Sequence, residues 1–319
     1  MADVEGFEDL RPLVFAIAYR ILGTVSEAED AVQETWLRYE ASGVEPDSLK
    51  SYLATIVTRV SIDVLRSARM RRETYVGPWF PEPVLTDVQP GDRSADVLTG
   101  DPAAAAELAD SVSMAALLLL ERLSPLERAV FVMREVFRFD YDDVAAAVGR
   151  SEPACRQLAA RARRHMEQGK PRFEADRRKR EELADRFFDA LSAGDLDALQ
   201  ALLAADVEAV NDGGGVAGGA GGTFGAERAA RILLAAVPPL LAAGASMERR
   251  EINGHPGAVM HDHVGDIVGT WTLEILDDKV IGIRSITSPS KLQHLGPVGD
   301  LRTALKRRQA ARRAQRGER

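Results

Sequence analysis

The stretch that decides the fold runs from Ser124 to Met166 and reads SPLERAVFVMREVFRFDYDDVAAAVGRSEPACRQLAARARRHM. Ser124 and Glu127 have the spacing of a capping box, and Pro125 between them suits the first turn of a helix. Gly149 is typical of a residue that ends a helix, and apolar residues recur at helical spacing on both sides of it. The pattern predicts three short helices with a turn at Gly149 and Arg150.

The last of these helices has one apolar and one basic face. Its apolar stripe consists of Cys155, Leu158, Ala159, Ala162 and Met166. In a helix-turn-helix protein such a helix enters the major groove, where Arg and Gln read base edges and further arginines neutralise phosphates. A small helical bundle with a solvated basic face is the alternative that this stretch alone leaves open. The candidate DNA contacts are Ser151, Glu152, Arg156, Gln157, Arg161, Arg163 and Arg164.

Composition sets limits on the class of protein. A length of 319 residues allows two or three domains, and a net charge of −8 excludes a protein that coats nucleic acid indiscriminately. The single cysteine excludes a disulfide framework and a cysteine-rich zinc site. Nothing resembles a signal peptide or a membrane span, so we expect a cytoplasmic protein.

Residues 1–76 read as helical throughout. Ser26 and Glu29 suggest a second capping box, which would open a helix over 26–39. A long helix is predicted from about 48 to 72, and its end is rich in arginine. The arginine side chains at this end of the helix suit binding to a nucleic-acid backbone. The alternative is that they form a solvated surface.

Here the sequence resembles a known family. The segments SEAEDAVQETWLR and SLKSYLATIVTRVSIDVLRSARMRR look like the second region of an extracytoplasmic-function (group IV) bacterial sigma factor, and 121–166 resembles its fourth region. The resemblance implies that 26–39 docks on the clamp of RNA polymerase, that the long helix reads the −10 promoter element, and that 113–170 reads the −35 element. The implied polymerase contacts are Asp30, Gln33, Glu34 and Trp36, and the implied −10 contacts are Arg59, Asp63, Arg66, Arg69 and Arg71.

Residues 77–112 read as an acidic linker rich in proline and glycine. It contains one apolar island, Trp79-Phe80-Pro81-Glu82-Pro83, which resembles the tryptophan-proline motif of one sigma-factor subgroup. Two aromatic residues in a polar linker need a surface to cover them. We expect Trp79, Phe80 and Pro81 to contact the C-terminal domain, at the residues Asp212, Gly213, Gly214, Lys291 and Leu292.

The chain after 171 predicts helices followed by antiparallel strands, which is the order of an α+β cone. Residues 171–295 resemble a SnoaL-like domain, and 296–319 form a basic tail. Such cones host enzymes, so Asp212 as a general base and His261 with His263 as metal ligands are alternatives to a purely regulatory cone. Turn and loop positions explain these residues better, and we expect no catalytic residue, metal or cofactor. The other candidates weighed were His255, Asp262 and Asp266.

The sequence thus predicts two all-α sigma domains followed by an α+β SnoaL-like cone. The predicted function is promoter-directed initiation of transcription, regulated in cis by the cone, with RNA polymerase core and promoter DNA as partners. A small-molecule ligand of the C-terminal domain stays open. The alternatives are a stand-alone helix-turn-helix regulator with a ligand-sensing cone, and a SnoaL-like enzyme fused to a DNA-binding arm.

Overall fold

The computed structural model describes residues 3–73, 75, 77–87, 112–168, 176–214, 222–300 and 303. The chain divides into two compact units. A helical unit takes its described residues from 1–74 and 88–171, and a cone unit takes them from 75–87 and 172–319. The first part of the predicted linker therefore belongs to the same unit as the C-terminal domain.

The helical unit begins with three helices, α1 (Val4–Leu22), α2 (Val25–Ser42) and α3 (Leu49–Glu73). Gly23 ends α1 in the left-handed region, where glycine carries no steric penalty. The prediction that Ser26 caps the second helix is wrong, because α2 starts earlier with Thr24 as its N-cap. The Thr24 hydroxyl donates to Glu27, while the Glu29 carboxylate pairs with Arg11 across the α1–α2 contact.

The helix-turn-helix follows, with α4 (Met114–Leu120), α5 (Pro125–Phe131), α6 (Tyr141–Val148) and α7 (Glu152–Gln168). The capping box at Ser124 and Glu127 is confirmed, and so is the end of α6 at Gly149. The expected continuation of α5 is replaced by a π-helical turn, Val132–Val136, which places the amide of Phe137 on the carbonyl of Val132. This wider turn ends the helix before α6 begins.

Buried arginines tie α1 to the helices that follow. Arg20 is fully buried, and its guanidinium lies 5.1 Å from the centre of the Phe137 ring. Burial lowers the pKa of Arg20 to about 9. Arg128 donates to the carbonyl of Arg20 and forms an ion pair of 2.6 Å with Glu121. The Phe137 ring, the Arg20 carbonyl and the Glu121 carboxylate thus interact with two guanidinium groups that would be costly to bury alone.

The cone unit contains helices α8 (Arg177–Ala193), α9 (Leu196–Leu202) and α10 (Ala226–Leu241) packed on one sheet. Its strands in chain order are β1 (Leu203–Asp212), β2 (Gly222–Thr223), β3 (Ser246–Ile252), β4 (His255–His261), β5 (Ile267–Leu276) and β6 (Lys279–Ile286). The strand order is β2-β1-β6-β5-β4-β3, with β1 and β6 parallel and the other neighbours antiparallel. This arrangement confirms the α+β cone.

Two local predictions from the sequence of the cone have different outcomes. The sequence predicts a tight turn at Asp277-Asp278 between the last two strands, and it is confirmed, because both residues have positive φ, at 50° and 56°. The sequence also predicts that the helix within 226–243 ends at Pro238-Pro239, which is wrong, since α10 continues to Leu241. Each proline removes one backbone N–H donor from the last turn of the helix.

Candidate functional site

The outer face of α7 presents the residues that the sequence assigns to the −35 element. Cys155, Ala159 and Ala162 are fully buried, so the polar residues between them point to solvent. Exposed on this face are Ser151, Glu152, Arg156, Gln157, Arg161, Arg163 and Arg164. The helix begins directly after the turn at Gly149, which is the geometry of a recognition helix.

Arg156 is held in place by two neighbouring side chains. Its guanidinium lies 4.2 Å from the centre of the Tyr141 ring and pairs with Glu152 at 2.9 Å. Arg134 covers the same ring at 4.8 Å. Tyr141 opens α6, so the first helix of the motif orients a side chain of the second. No pattern in the sequence predicts this stacking.

On α3 the candidate −10 residues are spread over an exposed face. Arg59, Asp63 and Arg66 are exposed, and the last two form a pair of 3.5 Å. Arg59 donates to the carbonyl oxygens of Ala146 and Ala147, at 2.6 and 3.4 Å. It thereby caps the C-terminus of α6. The side chains of Arg69 and Arg71 lie outside the described residues.

The candidate polymerase contacts lie along α2 beside an apolar groove of about 330 Å³. Asp30 and Gln33 are exposed, whereas Glu34 and Trp36 are half-buried. The Trp36 ring lies 4.9 Å from that of Phe7, and Leu37 beside it is 57% exposed. A half-buried tryptophan beside an exposed leucine offers an anchor for another protein.

In the cone unit the linker motif is docked on the end of β1. The Asp212 carboxylate is fully buried and accepts hydrogen bonds from the Tyr75 hydroxyl at 2.5 Å and from the Phe80 amide at 2.8 Å. The amide of Gly214 adds a third bond at 3.2 Å, and Lys291 forms an ion pair at 2.6 Å. Both carboxylate oxygens are thus occupied by donors from three parts of the chain.

Lys291 completes this cluster. Its ammonium group lies 4.3 Å from the centre of the Trp79 ring and 4.7 Å from that of Tyr75, and it also donates to the carbonyl of Phe80. Burial, together with the bond to Asp212, raises the pKa of Tyr75, so that its hydroxyl stays a donor. The structure therefore contains the expected contacts of Trp79 and Phe80 with the cone.

Gly214 has room for no side chain. Its φ is +59°, and a Cβ atom there would lie 2.5 Å from the Ser288 hydroxyl. Gly213 and Leu292 are buried at the same end of the sheet. Gly214 is thus needed for close approach of the Ser288 segment.

The linker then runs to the opposite edge of the sheet. Val84 exchanges hydrogen bonds with Asn253, and Leu85 forms an isolated antiparallel bridge with Ile252. His294 contacts the carbonyl of Pro83 at 2.6 Å. Sequence reasoning missed Asn253 and His294 because the first reads as a turn residue and the second follows no recognisable pattern.

The candidate catalytic residues are not gathered into one site. His255 is buried, and desolvation lowers its pKa to about 4. The His261 ring lies 3.9 Å from a carboxylate oxygen of Glu248. Over the described ranges, no three side chains of the metal-binding types come together.

Two protein-family models match the two helical regions of the chain. The model of Sigma-70 region 2 matches residues 7–71, and the model of Sigma-70, region 4 matches residues 113–166. Among the helices that the structure describes, none has the length and apolarity needed to cross a membrane.

Several relatives are similar over much of the chain. The extracytoplasmic-function RNA polymerase sigma factor SigJ of Mycobacterium tuberculosis is 40% identical over 216 residues, which cover 67% of this chain and 66% of SigJ. The alignment with its probable sigma factor SigI covers 64% of that protein, so the chain spans just under two thirds of these two relatives. SigG of the same organism is 30% identical over 288 residues, 85% of this chain and 76% of SigG.

A solved structure extends the similarity to the C-terminal half. The crystal structure of M. tuberculosis SigJ aligns with a TM-score of 0.71 and 33% identity. The alignment covers 92% of this chain and 99% of that one. The cone is therefore shared with a protein that carries the same two helical regions.

Proposed function

We propose, because the chain belongs to the extracytoplasmic-function family of RNA polymerase sigma factors, that it directs bacterial RNA polymerase to specific promoters and starts transcription. The observation that carries this proposal is the exposed face of α7, with Arg156 and Gln157 presented beyond a Gly149 turn. The proposed partners, polymerase core and promoter DNA, imply a cytoplasmic site of action.

Polymerase binding is proposed for the groove beside α2. Trp36 and Leu37 supply apolar surface there, and Asp30, Gln33 and Glu34 supply polar contacts. Asp30→Arg should abolish co-purification with core polymerase. Glu40→Arg is the matched control, since Glu40 is an exposed acid near the other end of the same helix.

Promoter recognition is proposed for α7 at the −35 element and for Arg59, Asp63, Arg66, Arg69 and Arg71 at the −10 element. The test is run-off transcription with core polymerase on a pool of genomic fragments, followed by sequencing of the transcripts. We expect starts that share two sequence elements, and a relaxed −35 preference after Gln157→Ala. A stand-alone regulator would produce no transcript with core polymerase alone, which would overturn the proposal.

The cone is proposed to regulate the sigma regions in cis and to have no catalytic role. Both oxygens of Asp212 are occupied by Tyr75, Phe80, Gly214 and Lys291, so this carboxylate is not free to act as a general base. Undocking the linker by Asp212→Asn should change the yield of run-off transcript. An unchanged yield would contradict regulation through this contact.

A further inference from the structure

The cone unit has a cavity whose lining does not include Asp212 or Lys291, the residues that hold the linker motif. It is a cavity of about 280 Å³ between the first half of α8 and the β3–β4 hairpin. Its apolar wall includes Phe188 and Pro256, and its polar wall contains four arginines and four carboxylates. Because most of these charges are paired with each other, the ones that are not decide what the cavity can bind.

Three of the arginines are committed to carboxylates. Arg177 pairs with Glu251 at 2.9 Å, Arg249 with Asp185 at 2.7 Å, and Arg250 with Asp87 at 2.7 Å. Arg180 makes no ion pair with any described residue. Its Nη1 has a long bond of 3.4 Å to the carbonyl of Gly254, and its Nε is buried without a hydrogen-bond partner among the described residues.

The same cavity is lined by a hydrogen-bond acceptor that is also buried without a partner among the described residues. Asp87 gives one carboxylate oxygen to Arg250, while its Oδ1 is buried and accepts no hydrogen bond from the described residues. Buried polar atoms are nearly always paired in folded proteins, with protein, water or ligand. Both atoms are sealed from solvent in this structure, so a molecule that pairs with them has to draw the side chains of Arg180 and Asp87 slightly into the cavity that both residues line.

We propose that this cavity binds a small organic acid that carries a hydroxyl group. Its carboxylate lies on the Arg180 guanidinium, its hydroxyl donates to Asp87 Oδ1, and its carbon skeleton packs on Phe188 and Pro256. Guanidinium groups bind carboxylates through paired N–H donors. An inorganic anion such as sulfate is disfavoured, since it offers neither a hydroxyl donor for Asp87 Oδ1 nor a carbon skeleton for the apolar wall of Phe188 and Pro256.

Binding at this site would act on the linker. Asp87 ends the docked segment, and its neighbour Thr86 donates both its amide and its hydroxyl to Glu251 on the edge strand. A ligand that uses Asp87 as an acceptor holds this end of the linker on β3. We therefore expect the ligand to slow hydrogen exchange at the Thr86 amide.

The test uses the full chain with L-malate, 4-hydroxybenzoate and sulfate as probes at about 10 mM. We expect malate or hydroxybenzoate to raise the thermal midpoint by about 3 °C and to protect Thr86. Arg180→Gln should abolish the shift. Arg178→Gln should keep it, because Arg178 lies on the same helix but is 86% exposed and paired with Glu182.

A second comparison keeps the proposal testable if Arg180→Gln is poorly folded. Asp87→Ala should remove the advantage of malate over succinate, which lacks the hydroxyl. The proposal is overturned if neither hydroxy acid shifts the midpoint, if sulfate shifts it equally, or if Asp87→Ala leaves the malate preference intact. None of these measurements involves polymerase or DNA, so their failure is separate from failure of the proposed function.

Discussion

At the scale of single residues, Asp212 joins the linker to the cone. It is buried with a cation, an amide and a phenol around it, and Lys291 depends on it for its charge partner. Removing one member of a buried pair leaves the other uncompensated, which costs more than the pair itself contributes.

A double-mutant cycle follows from this geometry. Asp212→Asn should lower the free energy of unfolding by about 3 kcal/mol, because Lys291 stays buried without its counter-charge. Asp212→Asn combined with Lys291→Met should cost less than the two single changes added together. Urea unfolding followed by tryptophan fluorescence measures all three variants, and strict additivity would contradict the coupling.

The burial of His255 makes the free energy of unfolding depend on pH. Its pKa falls from 6.5 to about 4 in the folded chain, mainly through desolvation, with the Arg180 charge as a second cause. The unfolded chain thus binds a proton at a pH where the folded chain does not. Stability from this group is complete above pH 6.5 and is lost as the pH falls from 6.5 towards 4, by about 3 kcal/mol.

The measurement is the free energy of unfolding between pH 7 and 4.5. His255→Gln should flatten its slope in this window, whereas His263→Gln, at an exposed position, should leave the slope as it is. If the free energy of unfolding has the same slope against pH in the native chain and in His255→Gln, groups other than His255 cause the pH dependence.

Sequence reasoning reached some of these residues and not others, for physical reasons. Trp79 lies in the tryptophan-proline motif, and Asp212 and Lys291 are among the contacts expected for it. Asn253 and His294 hold the linker through hydrogen bonds to its backbone. Such bonds depend on which loops the fold brings together, so no periodicity marks them.

At the scale of elements, α6 positions a side chain of α7. The Tyr141 ring at the start of α6 supports Arg156 by stacking, which restricts the guanidinium that we propose contacts a base. A restricted side chain loses less entropy on binding.

Tyr141→Leu should therefore weaken binding to a −35 duplex several-fold, while Tyr141→Phe should keep the affinity because the ring face is retained. Fluorescence anisotropy with the sigma–polymerase complex measures both variants. If the leucine variant binds as tightly as the phenylalanine variant, the stacking plays no part in recognition.

Element boundaries show the same limits of prediction. The capping box at Ser124 could be located because Glu127 lies three residues on and no competing residue precedes it. At Ser26 the same signal competes with Thr24, which is already extended and starts the helix two residues earlier. The π-helical turn at Val132–Val136 has no signature in the sequence, and the Phe137 ring that follows it lies against the Arg20 guanidinium.

At the scale of the whole molecule, the two elements that we propose read the promoter contact each other within the helical unit. Arg59 on α3 bonds the end of α6, and the Ser51 hydroxyl donates to Asp143 at 3.0 Å. The proposal places the −10 and −35 elements at separate positions on the DNA, so we expect α3 and α6 to separate when both elements are bound.

Crosslinking Ser51→Cys to Asp143→Cys with a short bismaleimide should block run-off transcription. Cys155 is buried at 0% exposure and should not react. Each single-cysteine variant treated with the same reagent is the control and should stay active. A crosslinked chain that transcribes normally would show that the contact persists on the promoter.

The docked linker also changes how the chain is tethered. With 75–87 fixed on the cone, the helix-turn-helix lies in a closed loop that leaves the cone after Asp87 and returns to it at α8. Docking is therefore an intramolecular event with an effective concentration on the order of a millimolar or somewhat below. Weak contacts suffice to keep the segment bound at any dilution of the protein, and a free competitor for the same surface has to reach that concentration or bind much more tightly.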